Sequence, residues 1–422
     1  MPVIPIINKI TNIKFPSYQN KVLANNVPIY VIHDDTLPIV KLEVIFSGGR
    51  VSEKKHSTSR ITAGLMNEST QSTSAKEIDE TIDFYGGRMG ISSNMDTMTA
   101  SLFCLKKHFK ALIYLFGEII SQPRFDLNEL ETYIKNQKQR LQLSLEENDV
   151  VAYRELTANV FGEKHVYGYN SSFEDYDAIK PIDLQDYFQN NFVKENCFVV
   201  ASGNIGENEF NLIDSVLCDA LLENSNFKKP IYSQVEIAKP AEIFIEKKNS
   251  VQTAIRVGLK TFTKTHSDYP AFYYLNTVLG GYFGARLMQN IREEKGYTYN
   301  IFSSLNTMIY DGFFSIGCEV GNEHKNATIK EIFFEIDKLK TELVSEKEME
   351  LVQNFLMGEI LKWTDGVYHS ADMIKHLVIH GQPISYFETF VDNIQNVSAK
   401  DLQDMAQKYF QKGSFHTVIV GK

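Results

Sequence analysis

The chain repeats itself, and a duplication constrains an architecture more tightly than any single motif does. The stretch DLQDYFQNNF begins at Asp183 and DLQDMAQKYF at Asp401, 218 positions later (401 − 183). FVVASGN ends at Asn204 and HTVIVGK at Lys422, again 218 apart (422 − 204). Each half therefore reads as closing on a helix and then a strand.

The openings correspond with a slightly different offset. EIDETIDFYGGRMGI carries Ile78, Ile82 and Gly87, and RLMQNIREEKGYTYNI carries Leu287, Ile291 and Gly296, so 296 − 87 gives 209. The difference falls naturally in loops, where insertions are tolerated. Upstream, PIYVI and VKLEVIF have the β-branched, alternating character of strands, and TAIRVGL plays that part in the second half. The pattern predicts an α+β fold of two tandem homologous repeats, each a mainly antiparallel sheet with helices packed on one face. Residues 1–222 form the first repeat and 242–422 the second. The polar segment 223–241, which holds prolines at 230 and 240, suits a linker.

With 422 residues, 43% of them hydrophobic, the chain has apolar material for more than one core. Its net charge of −10 argues against a phosphate-binding surface and so against nucleic acid, and favours basic over acidic peptides as ligands. Cys104, Cys197, Cys218 and Cys318 are far apart and form no C-x-x-C pair, which points to buried free thiols. MPVIPIINKITNIKFPSYQNKV lacks a basic start followed by a long apolar run, and no run elsewhere approaches membrane-spanning length. A cytoplasmic protein without membrane association is expected.

LGGYFGARLMQNIREEKGYTYNI, GGR after the early strands, GG after the helix near residue 80, HVYG at His165 to Gly168 and the two closing strands occur in one order. In that order the chain resembles the pitrilysin and insulinase family of zinc peptidases, the inverzincins, and within it the two-repeat processing-peptidase branch. The resemblance implies H-x-x-E-H on a helix of the first repeat, with a further Glu some seventy-odd residues on. Residues four apart share one helix face, so both imidazoles reach one metal while the Glu serves the bound water as base.

Here that pentapeptide is RITAG: Arg60 stands for the first His, Ala63 for the base and Gly64 for the second His, and counting back from Asn148 places the downstream Glu at Gln142. No ligand remains, and Arg60 brings a fixed positive charge where a dication would sit. No metal and no cofactor are expected in this chain. Ile61, Leu65 and Met66 are expected to keep the helix packed.

Active members also use an Arg and a Tyr seven apart in the second repeat, and the matching residues are Arg292 and Tyr299. The resemblance implies that they bind the substrate backbone and stabilise an oxyanion. Gly296 should end the helix, leaving Arg292 in its last turn and Tyr299 on the next strand.

The resemblance thus implies a non-catalytic subunit of a heterodimeric zinc peptidase. Its partner would be a homologous H-x-x-E-H subunit holding the zinc, with a peptide substrate in a closed chamber, bound by strand addition. A homodimer is expected if no such partner exists. Two other readings stay open. One is a structural subunit like the core proteins of the respiratory cytochrome complex. The other is a self-sufficient peptidase with a relocated metal at His376 and His380, four apart on a helix; there LVI supplies no base and Gly381 reads as a cap, so capping is preferred. STQSTS reads as a solvated loop.

Overall fold

The computed structural model describes residues 10, 13–225, 227–228 and 239–422. Most of the expected linker, residues 226 and 229–238, lies outside the described residues.

The first repeat runs β1 (Gln19–Val22), β2 (Pro28–His33), β3 (Ile39–Ser47), α1 (Thr58–Met66), α2 (Ala75–Tyr85), β4 (Arg88–Ser93) and β5 (Thr97–Leu105). It continues with α3 (Lys106–Ser121), α4 (Leu127–Glu146), α5 (Asn148–Phe161), α6 (Phe173–Asp177), α7 (Pro181–Asn191), β6 (Cys197–Gly203) and α8 (Glu207–Ala220). The second runs β7 (Glu242–Glu246), β8 (Gln252–Lys260), α9 (Tyr269–Gly280), a π-helical stretch (Met288–Glu294), β9 (Ile301–Thr307) and β10 (Gly312–Gly321). It ends with α10 (Lys325–Thr341), α11 (Glu346–Lys362), α12 (Gly366–Ile379), α13 (Tyr386–Asn396), α14 (Ala399–Tyr409) and β11 (His416–Gly421).

The duplication is written in the sheets. Setting aside β1 at one edge, the strand orders are β2-β6-β3-β5-β4 and β7-β11-β8-β10-β9, which match strand for strand. In each, one pair is parallel, β2 with β6 and β7 with β11, and the rest are antiparallel. The closing strand of each repeat thus lies inside its sheet. The first repeat does not end there, because α8 follows β6 and packs on α3; Gly117 allows this approach, since a Cβ there would lie 2.6 Å from Val216.

Alternation in β3 explains the layering. Val40, Leu42, Val44 and Phe46 face the core beneath α1, α2, α3, α7 and α8, while Ile45 joins the core of the second repeat from the opposite face. That opposite face is not left to solvent as one-sided packing would have it. Helix α12 of the second repeat covers β2, β6 and β3, and α5 of the first repeat covers β8 and β11. These helices occupy equivalent places in the duplication, beginning 366 − 148 = 218 residues apart, so each repeat lends its counterpart one helix.

An ion pair with one buried member ties each exchange. Lys375 on α12 reaches Glu43 on β3 at 2.7 Å, with Lys41 and Asp372 completing the network. Arg256 on β8 grips Asp149 on α5 through two parallel bonds of 2.8 and 2.6 Å. A third tie comes from HVYG: the Tyr167 hydroxyl donates to Asp96, whose other oxygen accepts the Ile309 N–H of the second repeat at 3.0 Å. Among the described residues no helix is long and apolar enough to cross a membrane.

Candidate functional site

The β3-to-α1 connection sets the approach to the expected metal position. Gly49, at φ 61°, turns so tightly that a Cβ would lie 2.4 Å from the Asn94 carbonyl oxygen. The chain then enters α1 under the carboxylate of Glu53, which accepts from the Ser57 N–H at 3.1 Å, the Ser59 N–H at 2.9 Å, the Ser59 hydroxyl at 2.6 Å and the Tyr169 phenol. Burial pushes the Glu53 pKa up, against these donors and the nearby Arg50. The carboxylate thus satisfies N–H groups that the helix itself leaves open.

Helix α1 is packed on two sides. Ile61 and Leu65 meet Leu130 and Leu141 of α4, while Ala63 and Met66 join the sheet core. Gly64 faces the ring of Tyr133 on α4 so closely that a Cβ would lie 2.3 Å from it, and the Tyr133 hydroxyl donates to the Arg60 carbonyl at 3.4 Å. An aromatic ring therefore fills the space into which the second imidazole of an H-x-x-E-H helix would project. Arg60, Ala63 and Gly64 offer no metal donor, and the residues present do not fit zinc.

Gln142 does not face α1. It is exposed and lines a different depression, with Leu127, Leu130 and Lys138. The α4 positions turned toward α1 are Tyr133, Gln137 and Leu141, one helical turn apart.

Beside α1 lies a polar cleft of about 560 Å³. Arg50, Arg60, Arg140 and Arg154 line it together with Glu53, Gln137, Asn94, Asn170 and several serines. The Arg50 guanidinium stacks 3.6 Å from the Tyr169 ring and donates to the Tyr169 carbonyl at 2.6 Å. Arg154 donates to the Ser171 carbonyl at 2.8 Å, and its pKa is lowered by burial, with the Arg50 charge acting the same way. Arg60 is the one cleft arginine singled out from sequence; the other three are too far apart in the chain to stand out as a motif.

In the second repeat the Arg292 guanidinium lies 4.6 Å from the Phe283 ring and 3.6 Å from Glu293. Tyr299 is not on a strand. Gly296, at φ 67°, ends the helical stretch, with its N–H on the Arg292 carbonyl and the Tyr297 N–H on the Ile291 carbonyl. The Thr298 hydroxyl then donates to the Glu319 carbonyl at 2.7 Å, taking the place of a ladder bond, so that β9 starts only at Ile301. Tyr299 is left 89% exposed. Nearby Tyr297 is stacked on His324 instead, with centroids 4.5 Å apart.

The alternative metal position is filled by a cation of the protein itself. The Lys264 ammonium meets His376 Nε2, and the His376 and His380 rings lie 4.6 Å apart. Burial first, and the Lys264 charge second, hold the two imidazoles down to about 3 and about 4. Among the described residues no group of three or more His, Cys, Asp or Glu is arranged to hold a metal ion. All four cysteines are free; Cys104 and Cys318 are buried, whereas Cys197 and Cys218 are half-buried. The STQSTS segment is more than a solvated loop. Ser69 and Thr70 are buried, and the hydroxyls of Thr70, Ser72 and Thr73 converge on Glu118.

Comparison with known proteins agrees with this architecture. Residues 29–168 match the family described as insulinase, peptidase family M16, and residues 178–356 match the peptidase M16 inactive domain. A Helicobacter pylori protein described as non-peptidase homolog YmxG is 24% identical, over 93% of this chain and 91% of its own. A Bacillus subtilis protein described as probable inactive metalloprotease YmfF is 22% identical, over 72% of this chain and 73% of its own. The crystal structure of a peptidase M16 inactive domain from Pseudomonas fluorescens superposes with a TM-score of 0.83 at 21% identity, covering 96% of this chain and 98% of that one. Matched in both repeats and in order, the chain belongs to the insulinase family of peptidases, M16.

Proposed function

We propose that this chain is the non-catalytic subunit of a two-component zinc peptidase. A homologous H-x-x-E-H subunit supplies the metal, and this chain supplies Arg292 and Tyr299 across a shared chamber. The observation that carries the reading is the contrast between the two positions. At α1 the Tyr133 ring fills the space for a ligand at Gly64, while Tyr299 stands 89% exposed and Phe283, against which Arg292 packs, 62% exposed. A phenol and a guanidinium held outside the core are available to another chain, and both are donors suited to a developing oxyanion. The names of the relatives, non-peptidase and inactive metalloprotease, support the first half of this reading.

The test is turnover of a quenched unfolded peptide by the chain co-expressed with its H-x-x-E-H homologue. Arg292→Ala and Tyr299→Phe should each lower kcat by about 100-fold or more, as loss of one oxyanion donor does, with assembly unchanged. Unchanged turnover in both variants would sink the catalytic role and leave a structural subunit.

A further inference from the structure

The arginines of this chain divide sharply. Arg124, Arg256, Arg286 and Arg292 each lie within 4 Å of a carboxylate. Among the described residues Arg50, Arg60, Arg88, Arg140 and Arg154 make no such ion pair, and four of those five line the single cleft beside α1. In a chain of net charge −10 with 53 acidic residues, four guanidiniums lining one cleft with no ion pair among them make a local positive surface that attracts anions. The one carboxylate in the cleft, Glu53, is already engaged by Ser57, Ser59 and Tyr169.

We propose that this cleft is a receptor for the carboxylates of an extended acidic peptide. The four cations come from the β3–α1 connection, α1, α4 and α5. Arg50 and Arg154 feel one another's charge and are held by the carbonyls of Tyr169 and Ser171. Arg60 and Arg140 both act on Tyr133, on the α1 and α4 side. Four cations spread along a cleft of about 560 Å³, two held by backbone carbonyls and two exposed, suit successive acidic side chains better than a single compact anion. Gln137, Asn94, Asn170 and the lining serines supply the neutral donors and acceptors that a peptide backbone needs. The place where the family holds a dication becomes a place that holds anions, and Arg60 is the residue common to both descriptions. The wall of this cleft also reverses what total charge suggests, since it favours acidic rather than basic peptides.

The proposal stands independently of the peptidase partnership, because it concerns the isolated chain. Its test is fluorescence anisotropy of the full chain with a labelled decapeptide containing six glutamates, against the same peptide with glutamines, with pyrophosphate as competitor. The glutamate peptide should bind at least about tenfold tighter than the glutamine one, as charge-assisted bonds require. Arg60→Gln combined with Arg140→Gln, both exposed on the cleft rim, should remove about tenfold and flatten the salt dependence. Arg88→Gln, outside the cleft, should change nothing. Equal binding of the two peptides, or indifference to the double variant, overturns the proposal. So does pyrophosphate binding tightly where the glutamate peptide does not, which would make the cleft a phosphate site.

Discussion

At the scale of single residues, Gly64 and Tyr133 decide most. The RITAG sequence offers no metal donor, and the packing places the ring of Tyr133 against Gly64. Gly64→Ala should therefore destabilise the fold by about 1–3 kcal/mol, the usual cost of overpacking, read as a lowered urea midpoint. Combining it with Tyr133→Ala should recover part of that loss; strict additivity would show that the two do not compete for one space. A second prediction concerns pH. Because burial holds His376 and His380 near 3 and 4 when folded, against about 6.5 when unfolded, the unfolded chain binds more protons below pH ~6.5. The stability they give is present above that pH and is lost as pH falls toward 4 and then 3. Each contributes a slope of about 1.4 kcal/mol per pH unit. His376→Gln should remove about one proton from the slope measured by urea unfolding between pH 7 and 5.

At the scale of elements, local patterning in the sequence was enough to place VKLEVIF on a strand, the helix after Ser74 and the duplicated closing segments. What it did not reveal depends on contacts distant in the chain. The exchange of α5 and α12 between repeats rests on Asp149 with Arg256 and Lys375 with Glu43, pairs 107 and 332 residues apart. Tyr299 was expected on a strand, and the Thr298 hydroxyl displaced it by taking the ladder position at Glu319. Facing residues on α4 were missed for a similar reason, since a count fixes a position along a helix but not its rotation. Glu43, only 4% exposed, sits between Lys41 and Lys375. Glu43→Ala should cost about 1.5–3 kcal/mol, because Lys41 and Lys375 lose a charge-assisted partner and keep only Asp372. If denaturant unfolding shows less than 1 kcal/mol, that network does not hold α12 to the first sheet.

At the scale of the molecule, duplication, exchanged helices and matched sheets make one body from two repeats, with its chemistry unevenly divided between them. The first repeat carries α1, which offers no metal donor at Arg60, Ala63 or Gly64, and an arginine-lined cleft beside it. The second keeps Arg292 and Tyr299 at an exposed bend. A family member arranged this way is incomplete as a peptidase by itself, and the central claim is that another chain completes it. The most direct measurement is native mass spectrometry of the tagged chain isolated from its host cells. A one-to-one complex with a similar-sized homologue that carries H-x-x-E-H and zinc is expected. Recovery of this chain solely as a monomer or homodimer would contradict it.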